Sequence, residues 1–195
     1  ECFTEGITEN NLSAFLTEGN KLDLLIDECD GLEIKIACRQ EAKKLNIPVL
    51  METSDRGMLD VERFDLEPDR PIFHGLLNGI PEEKLTHIAP QDRIPLVMRI
   101  VDAQNGSKRG KLSMLEIGQS ISTWPQLASA ATLGGAVVTD TSRRILLNQF
   151  EASGRFYVDL EQIISKDGTD RSDDLQNPFT PFQYNKAIST AKSYA

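Results

Sequence analysis

The sequence predicts an α/β fold, and three observations lead to that prediction. Residues 22–26 form a short apolar run without alternation, which is typical of a parallel strand buried on both faces. Apolar residues then recur at helical spacing from about residue 31 to residue 45. A second apolar run follows at residues 47–51, with Pro48 near its start, where a missing N–H disrupts pairing least. A strand, a helix and a strand in this order indicate a right-handed crossover between parallel strands.

The segments on either side of this unit are predicted to add a helix and a strand. Thr8 is expected to cap a helix that carries Leu12 and Leu16 on one face and ends at Gly19. Residues 61–66 are predicted as a strand that follows a turn at residues 54–57.

The remainder of the chain is predicted to be mainly helical. The proline-rich and acidic residues 67–92 indicate a long connection, and Ile94, Val97, Ile100 and Val101 then share one side of a helix. A break runs from Asn105 to Gly110. Further elements are expected as a helix at 112–117, the longest helix at 125–149 and a closing strand at 155–160.

Composition and charge exclude several classes of protein. The 195 residues are 39% hydrophobic and 26% charged, which is typical of a soluble globular protein and enough for one domain. The net charge of -9 disfavours nucleic acid and anionic membrane as partners. No apolar run approaches the length of a membrane span, and no signal peptide opens the chain. We expect one domain over residues 1–165 and a polar linker or tail over 166–195.

Cysteine usage indicates a reducing compartment. Cys2, Cys29 and Cys38 are too few and too irregularly spaced for a disulfide framework, so a cytoplasmic location is expected. The sequence has no C-x-x-C pair, which argues against a structural zinc site. The chain opens at Glu1 in a stretch that is typical of mid-domain sequence, so we expect it to be a piece of a longer protein.

The most informative site candidate is the end of the first predicted strand, Asp27-Glu28-Cys29-Asp30-Gly31. Ligands bind outside the carboxyl ends of parallel strands, and a carboxylate there is well placed to hold Mg²⁺ on a nucleoside triphosphate. A second interpretation is that Asp30 and Glu33 form a capping box for the following helix. Capping is the commoner role, and the two roles are compatible.

Other candidate residues have a stronger structural interpretation than a functional one. His74 and His87 lie 13 residues apart in a loop region, without metal-ligand or nucleophile spacing. Cys38 is expected in the core. Cys29 is a poor nucleophile candidate, because the acidic neighbours Glu28 and Asp30 raise the pKa of a thiol.

Two polar clusters are likewise interpreted structurally. Asp55 and Arg56 are expected to form a turn with a local ion pair, although they can also orient a substrate carboxylate. Lys108, Arg109 and Lys111 are expected to be a solvated basic loop and not a phosphate site.

Several segments together resemble the ThiF/MoeB/HesA family, which is related to the ubiquitin-activating enzymes. Residues 22–31 resemble its signature, in which a strand ends in Asp-x-x-Asp-Asn, and Ile47-Pro48-Val49 resembles the strand after the next helix. Residues 124–144 resemble its late helix and residues 154–159 its closing strand. Residues 53–65 resemble a bacterial branch in which the module is fused to a nitroreductase-like domain. The resemblance covers most of residues 4–160.

The resemblance implies a partial Rossmann-like ThiF/MoeB-type fold, with the second half of the sheet and the helices that follow it. It implies an adenylyltransferase that uses ATP and Mg²⁺ to activate a carboxylate, such as that of a ubiquitin-like or sulfur-carrier protein, as an acyl adenylate. It also implies a homodimer. By the same resemblance Asp30 matches the magnesium-linked aspartate, while Cys29 and Lys35 line the nucleotide pocket.

Departures from the family pattern keep a second function open. Gly31 replaces the asparagine after the aspartate, Arg39 replaces an asparagine further along the helix, and Lys35 stands where an arginine is usual. The zinc-holding cysteine pairs, an obvious transfer cysteine and the Gly-x-Gly-x-x-Gly loop are absent from this sequence, so we expect the chain alone to be inactive. The alternative is a degenerate member that serves as a binding or dimerisation scaffold for a nitroreductase-like domain.

Overall fold

The computed structural model describes residues 2–80, 85 and 88–164, without the side chains of Pro90 and Gln91. The predicted tail at 166–195 and His87 lie outside the described residues. The helices are α1 (Leu12–Thr17), α2 (Leu32–Lys44), a 3-10 helix (Ile72–Gly75), α3 (Pro90–Ile100), α4 (Lys108–Glu116), α5 (Ala128–Leu146) and α6 (Leu160–Ile164).

Within the described residues the strands form one four-stranded mixed sheet, which confirms the predicted α/β class. Its strands are β1 (Leu25–Ile26), β2 (Val49–Glu52), β3 (Met58–Glu62) and β4 (Gly154–Tyr157), in spatial order β1-β2-β3-β4. β1 and β2 are parallel, with Leu25 opposite Val49 and Ile26 opposite Leu50. The predicted strand, helix and strand are therefore present as β1, α2 and β2.

The chain divides into two compact units, and the first contains the β1-α2-β2 segment. This unit comprises Glu1–Glu52, Asp60–Ile88 and Val138–Arg155. One of its hydrophobic clusters joins α1 to α2 and the strands, because the apolar faces of both helices meet there. Its buried members are Leu12, Leu16, Leu25, Cys38, Ala42, Ile47, Val49 and Phe64.

The second unit comprises Thr53–Leu59, Ala89–Val137 and Phe156–Ala195. Within it the turn before β3 is tied to the segment that follows β4. The Val158 N–H donates to the Gly57 carbonyl at 3.2 Å, and a Cβ on Gly57 would stand 2.7 Å from the Val158 carbonyl oxygen. Gly57 also has φ of 55°, so this position favours glycine for two independent reasons.

The predicted first helix and first strand are correct in kind and wrong in detail. Thr8 is not the cap: α1 begins after Asn11, whose side chain turns back to accept a hydrogen bond from the Thr8 N–H at 2.7 Å. β1 has only two residues, because the Leu22 N–H is bonded to the Leu16 carbonyl at 2.9 Å and is lost to the sheet. Ile26 is 44% exposed, so β1 is not buried on both faces.

Two strand predictions had wrong boundaries. β3 lies at Met58–Glu62 and not at 61–66, because Arg63 starts a turn in which its carbonyl accepts from the Leu66 N–H at 3.0 Å. The closing strand ends at Tyr157, and Leu160 begins α6. Asp159 accounts for that change, because its side chain accepts from the Glu161 N–H at 3.0 Å, as an N-cap does.

The later helices are confirmed, with one wrong face. α3 is present, but Val97 is 40% exposed while Leu96 and Met98 are buried, so the buried face differs from the predicted one. α4 begins at Lys108 and includes Gly110, because the Ser107 hydroxyl accepts from the Gly110 N–H at 2.9 Å. α5 is the longest helix of the described part and runs through the Gly134-Gly135 pair without interruption.

Candidate functional site

Asp30 lies exposed between β1 and α2, at the carboxyl end of a parallel strand. The capping-box interpretation is wrong, since the N-cap of α2 is Gly31, which has no side chain with which to cap the helix, and not Asp30. The carboxylate is therefore not occupied in holding the helix, and it faces solvent at the edge of the sheet where ligands of parallel sheets bind. This is the position that the sequence predicts for the magnesium-linked aspartate.

Cys29 is a protonated thiol held by the preceding turn. Its Sγ lies 2.9 Å from Asp27 Oδ1, and its backbone N–H donates to the same oxygen at 3.2 Å. Burial of the sulfur and the contact with Asp27 raise the pKa of the Cys29 thiol to about 12. The direction agrees with the sequence prediction, but the responsible acid is Asp27 and not Glu28 or Asp30. A thiol in this state is a poor nucleophile at neutral pH.

Lys35 reaches back from the first turns of α2 to the end of β1. Its Nζ lies 3.0 Å from Asp27 Oδ2, and its side chain is 12% exposed. Nζ also lies 3.5 Å from Met51 Sδ at the end of β2. The structure thus brings Lys35 to the carboxyl edge of the sheet beside Cys29, with its charge already partly balanced by Asp27.

Arg39 is a fully buried cation that bridges two carboxylates. Its Nη1 pairs with Asp27 Oδ2, and its Nε donates to Glu62 Oε2 of β3 at 2.6 Å. The guanidinium also lies over the Phe73 ring, 4.1 Å from its centroid. Although burial opposes ionisation, Arg39 and Lys35 hold the pKa of Asp27 below its usual range.

Sequence reasoning noted Arg39 only as a departure from a family pattern and missed Glu62 altogether. A usable signal was present, because Arg39 follows Lys35 by four residues and so shares its helix face. Asp60 and Glu62 likewise alternate with Val61, which places two acids on one face of a strand. Burial raises the pKa of Glu62 despite the opposing effect of Arg39.

His74 is held as a structural residue beside this cluster. Arg70 Nε and Nη2 lie 3.1 and 2.9 Å from His74 Nδ1. A guanidinium can only donate, so Nδ1 accepts and the proton is on Nε2, which faces Asp60 Oδ2 at 3.0 Å. Arg155 pairs with the same oxygen at 2.7 Å. Arg70 occupies Nδ1 and Asp60 faces Nε2, which favours the predicted structural role of His74 over that of a catalytic base.

Glu28 adds a titratable group at the same edge. It is an exposed residue, but its Oε1 accepts from the backbone N–H of Glu52 at 3.0 Å. Partial burial of the carboxylate raises the pKa of Glu28 to about 7, against the effect of that hydrogen bond. This edge of the sheet therefore carries a carboxyl group whose pKa lies near neutral pH.

The remaining polar candidates are structural, and two predictions about them were wrong. Asp55 and Arg56 do not pair with each other: Asp55 accepts from the Ser107 N–H at 2.8 Å, and Arg56 pairs with Asp159 at 2.7 Å. The basic cluster lies on α4 and not in a solvated loop. Lys111 is 9% exposed and donates to the Gln104 carbonyl at 2.6 Å.

Two features are absent from the part of the chain that the structure describes. No group of three or more His, Cys, Asp and Glu side chains there could hold a metal ion. Any magnesium at Asp30 must therefore take its other ligands from phosphate, water or another part of the protein. No helix among the described residues is long and apolar enough to cross a membrane.

Comparison with known proteins gives the chain a relative without an assigned activity. It is 44% identical over 163 residues to a protein of Mycobacterium tuberculosis (strain CDC 1551 / Oshkosh) described as uncharacterized protein MT1398. The match covers 84% of this chain and 22% of the relative, so the chain spans about a fifth of that protein's length. No family model matches the chain, and no solved structure matches it.

Proposed function

We propose that this chain is part of an ATP- and magnesium-dependent adenylyltransferase of the ThiF/MoeB/HesA type. The reaction is attack of a carboxylate on the α-phosphate of ATP, which releases pyrophosphate and gives an acyl adenylate. The proposed carboxylate is the C-terminus of a ubiquitin-like or sulfur-carrier protein. The active protein is a cytoplasmic homodimer, and the phosphate-gripping glycine loop belongs to another part of it.

The observation that supports this proposal most is the position of Asp30. Its carboxylate is exposed beyond the carboxyl end of β1, within a parallel β1-α2-β2 unit. Asp30 is also not the N-cap of α2, which was the simplest structural explanation for an aspartate at this position. An exposed acid at this edge of a parallel sheet is suited to a bound ligand.

The residues at this edge fit a magnesium nucleotide as a partial site. Mg²⁺ prefers oxygen ligands and is usually held by one or two carboxylates together with phosphate oxygens and water. Asp30 supplies one such carboxylate. When bound, the metal neutralises phosphate charge and favours attack at the α-phosphate.

The chain's own residues then orient this acid and its surroundings. Asp27, neutralised by Arg39, fixes the turn by accepting from the Cys29 N–H at 3.2 Å. The same carboxylate holds Lys35 Nζ at 3.0 Å, so a cation stays at this edge of the sheet. Cys29 remains protonated, so it does not accept an acyl group.

A second function is favoured by the same ion pairs. Lys35 and Arg39 are both engaged with Asp27, and a lysine so engaged is less available to phosphate. A degenerate protein that has turned its nucleotide site into internal contacts would serve as a binding or dimerisation scaffold for a nitroreductase-like domain. This alternative requires no nucleotide binding at all.

Calorimetric titration of magnesium-ATP separates the two functions. The titrated proteins are the 195-residue chain and a version extended upstream, together with Asp30→Ala in the extended version. The adenylyltransferase proposal expects binding only by the extended protein and weaker binding after Asp30→Ala.

The matched control is Asp23→Ala, because Asp23 is also an exposed aspartate and lies at the opposite end of β1. Asp23→Ala should leave the affinity unchanged. An extended protein that ignores magnesium-ATP while remaining folded would favour the scaffold function instead.

A further inference from the structure

A surface groove of about 630 Å³ lies within the first unit, remote from Asp30. One wall is the carboxyl-terminal half of α2, with Gln40, Lys43 and Lys44, and the other includes Ile72, Leu77 and Ile80. Its volume falls within the roughly 300–1,000 Å³ of typical ligand pockets. The lysines are about three turns along α2 from Asp30, roughly 15–20 Å at 1.5 Å per residue, so the groove is separate from the candidate nucleotide site.

The second wall is held in a strained shape by buried contacts. Phe73 and His74 have φ of 48° and 55°, a left-handed conformation that bulky residues rarely adopt. Glu62 Oε1 fixes this segment by accepting from the Phe73 N–H at 2.5 Å, and the Phe73 ring is covered by Arg39. Backbone strain of this kind persists where surrounding structure over-determines it and is concentrated at functional sites. The groove is therefore pre-formed.

The chemistry of the groove combines an apolar wall with a basic rim. Its described lining residues include two lysines and no aspartate or glutamate, on a chain whose net charge is -9. Lys44 pairs with Glu41 at 2.9 Å, but Lys44 is 70% exposed, and such exposed pairs are worth little. Lys43 Nζ donates to the Asp69 carbonyl at 3.4 Å. Both ammonium groups can exchange these contacts for an incoming carboxylate.

We propose that this groove binds a peptide segment of a partner protein that carries acidic and apolar side chains. An apolar side chain packs against Ile72, Leu77 and Ile80, while a neighbouring carboxylate pairs with Lys43 or Lys44. Charge complementarity selects this class of partner, because the groove is locally basic on an acidic protein. The proposal does not depend on adenylyltransferase activity.

The test measures fluorescence anisotropy of labelled peptides with the 195-residue chain. The probes are a hexapeptide of alternating aspartate and leucine, its lysine–leucine counterpart and its aspartate–serine counterpart. The proposal expects the aspartate–leucine peptide to bind best. The double variant Lys43→Glu/Lys44→Glu should weaken that binding by about tenfold or more, because reversing both charges of the rim replaces attraction of the peptide carboxylates by repulsion.

The matched control is Arg143→Glu/Arg144→Glu on α5, which changes the net charge by the same amount at two exposed neighbouring residues. It should retain the affinity of the parent chain. Asn78→Trp is the independent variant, because it fills the groove without changing charge, and it should also abolish binding. Equal losses in both double variants, binding retained by a folded Asn78→Trp variant, equal binding of the lysine–leucine peptide or no binding of any probe would overturn the proposal.

Discussion

Two ion-pair clusters of the first unit each place one charged side chain between two of opposite charge, but one cluster is buried and the other is exposed. Arg39 bridges Asp27 and Glu62, and these three side chains are 0–3% exposed. Asp140 of α5 bridges Arg143 and Arg144, and these three are 46–53% exposed. The buried cluster joins α2, β1 and β3, whereas the exposed one lies within a single helix.

The difference teaches that burial decides what an ion pair does in this protein. Breaking a buried pair leaves a charge in the interior without compensation, which is costly. Breaking an exposed pair returns its members to water at little cost. The buried cluster therefore fixes how β1 and α2 meet, and so positions the edge where Asp30 lies.

The largest expected effect comes from Arg39→Met, which leaves Glu62 buried without its ion-pair partner and Asp27 with Lys35 as its remaining cation. We expect the free energy of unfolding to fall by about 3–5 kcal/mol. Urea denaturation followed by circular dichroism measures the change. The triple variant Asp27→Asn/Arg39→Met/Glu62→Gln removes all three charges of this cluster and should be more stable than Arg39→Met alone. A triple variant that is less stable than the single one would contradict this account.

A smaller loss is expected at Arg56, whose ion pair is intermediate in exposure. The Arg56 side chain is 24% exposed; it pairs with Asp159, donates to the Asn105 carbonyl and lies over the Tyr157 ring. Arg56→Ala should lower the free energy of unfolding by about 1–2 kcal/mol, the usual range for such charge-assisted contacts. Arg56→Lys keeps the charge but loses the planar contact, so its free energy of unfolding should lie between those of the parent and of Arg56→Ala. The same denaturation assay decides, and a lysine variant as unstable as alanine would show that charge contributes nothing here.

The pH dependence of stability offers a test at Glu28. Its pKa is about 7 in the folded protein against an ordinary 4.5, so the folded state retains a proton that the unfolded state has lost. Stability is therefore expected to fall as pH rises from 4.5 to 7. Glu28→Gln cannot titrate but still accepts from the Glu52 N–H, so it should gain stability relative to the parent across that window. Denaturation midpoints at both ends of the window measure this, and a constant difference would contradict it.

The smallest effect is expected at the exposed cluster. Asp140→Asn removes both of its ion pairs, yet the denaturation midpoint should stay within experimental scatter, because the three side chains are accessible to water. Raising the salt concentration should leave the parent equally unaffected. A shift of the midpoint as large as that of Arg56→Ala would show that exposure is a poor guide to ion-pair energy in this chain.

The sequence predicted the elements whose hydrophobic pattern is strong and local. β1 and β2 were found as short unbroken apolar runs, and α2 was found because its apolar residues follow the helical period. Boundaries were wrong where a polar side chain bonds the backbone, as Asn11 does before α1 and Asp159 before α6. Such bonds depend on a rotamer, which residue type alone does not reveal.

The buried charges were missed for a different reason. Arginine and glutamate are almost never fully buried unless they are paired, so Arg39 and Glu62 were not expected in the interior. Arg39 is 12 residues from Asp27 and 23 residues from Glu62 in sequence, and only the folded sheet brings these three side chains together. Asp30 was located correctly at the end of β1, but its capping role was not, because Gly31 is the N-cap residue.

The most direct test of the proposed function measures metal binding at Asp30. Mn²⁺ prefers the same oxygen ligands as Mg²⁺, and its free form is quantified by electron paramagnetic resonance. Mn²⁺ and ATP are added to the upstream-extended protein and to its Asp30→Ala and Asp23→Ala variants. We predict protein-bound Mn²⁺ in the parent and in Asp23→Ala, and a loss of that bound fraction in a folded Asp30→Ala variant. Undiminished Mn²⁺ binding by Asp30→Ala would contradict the assignment of Asp30 as the metal ligand.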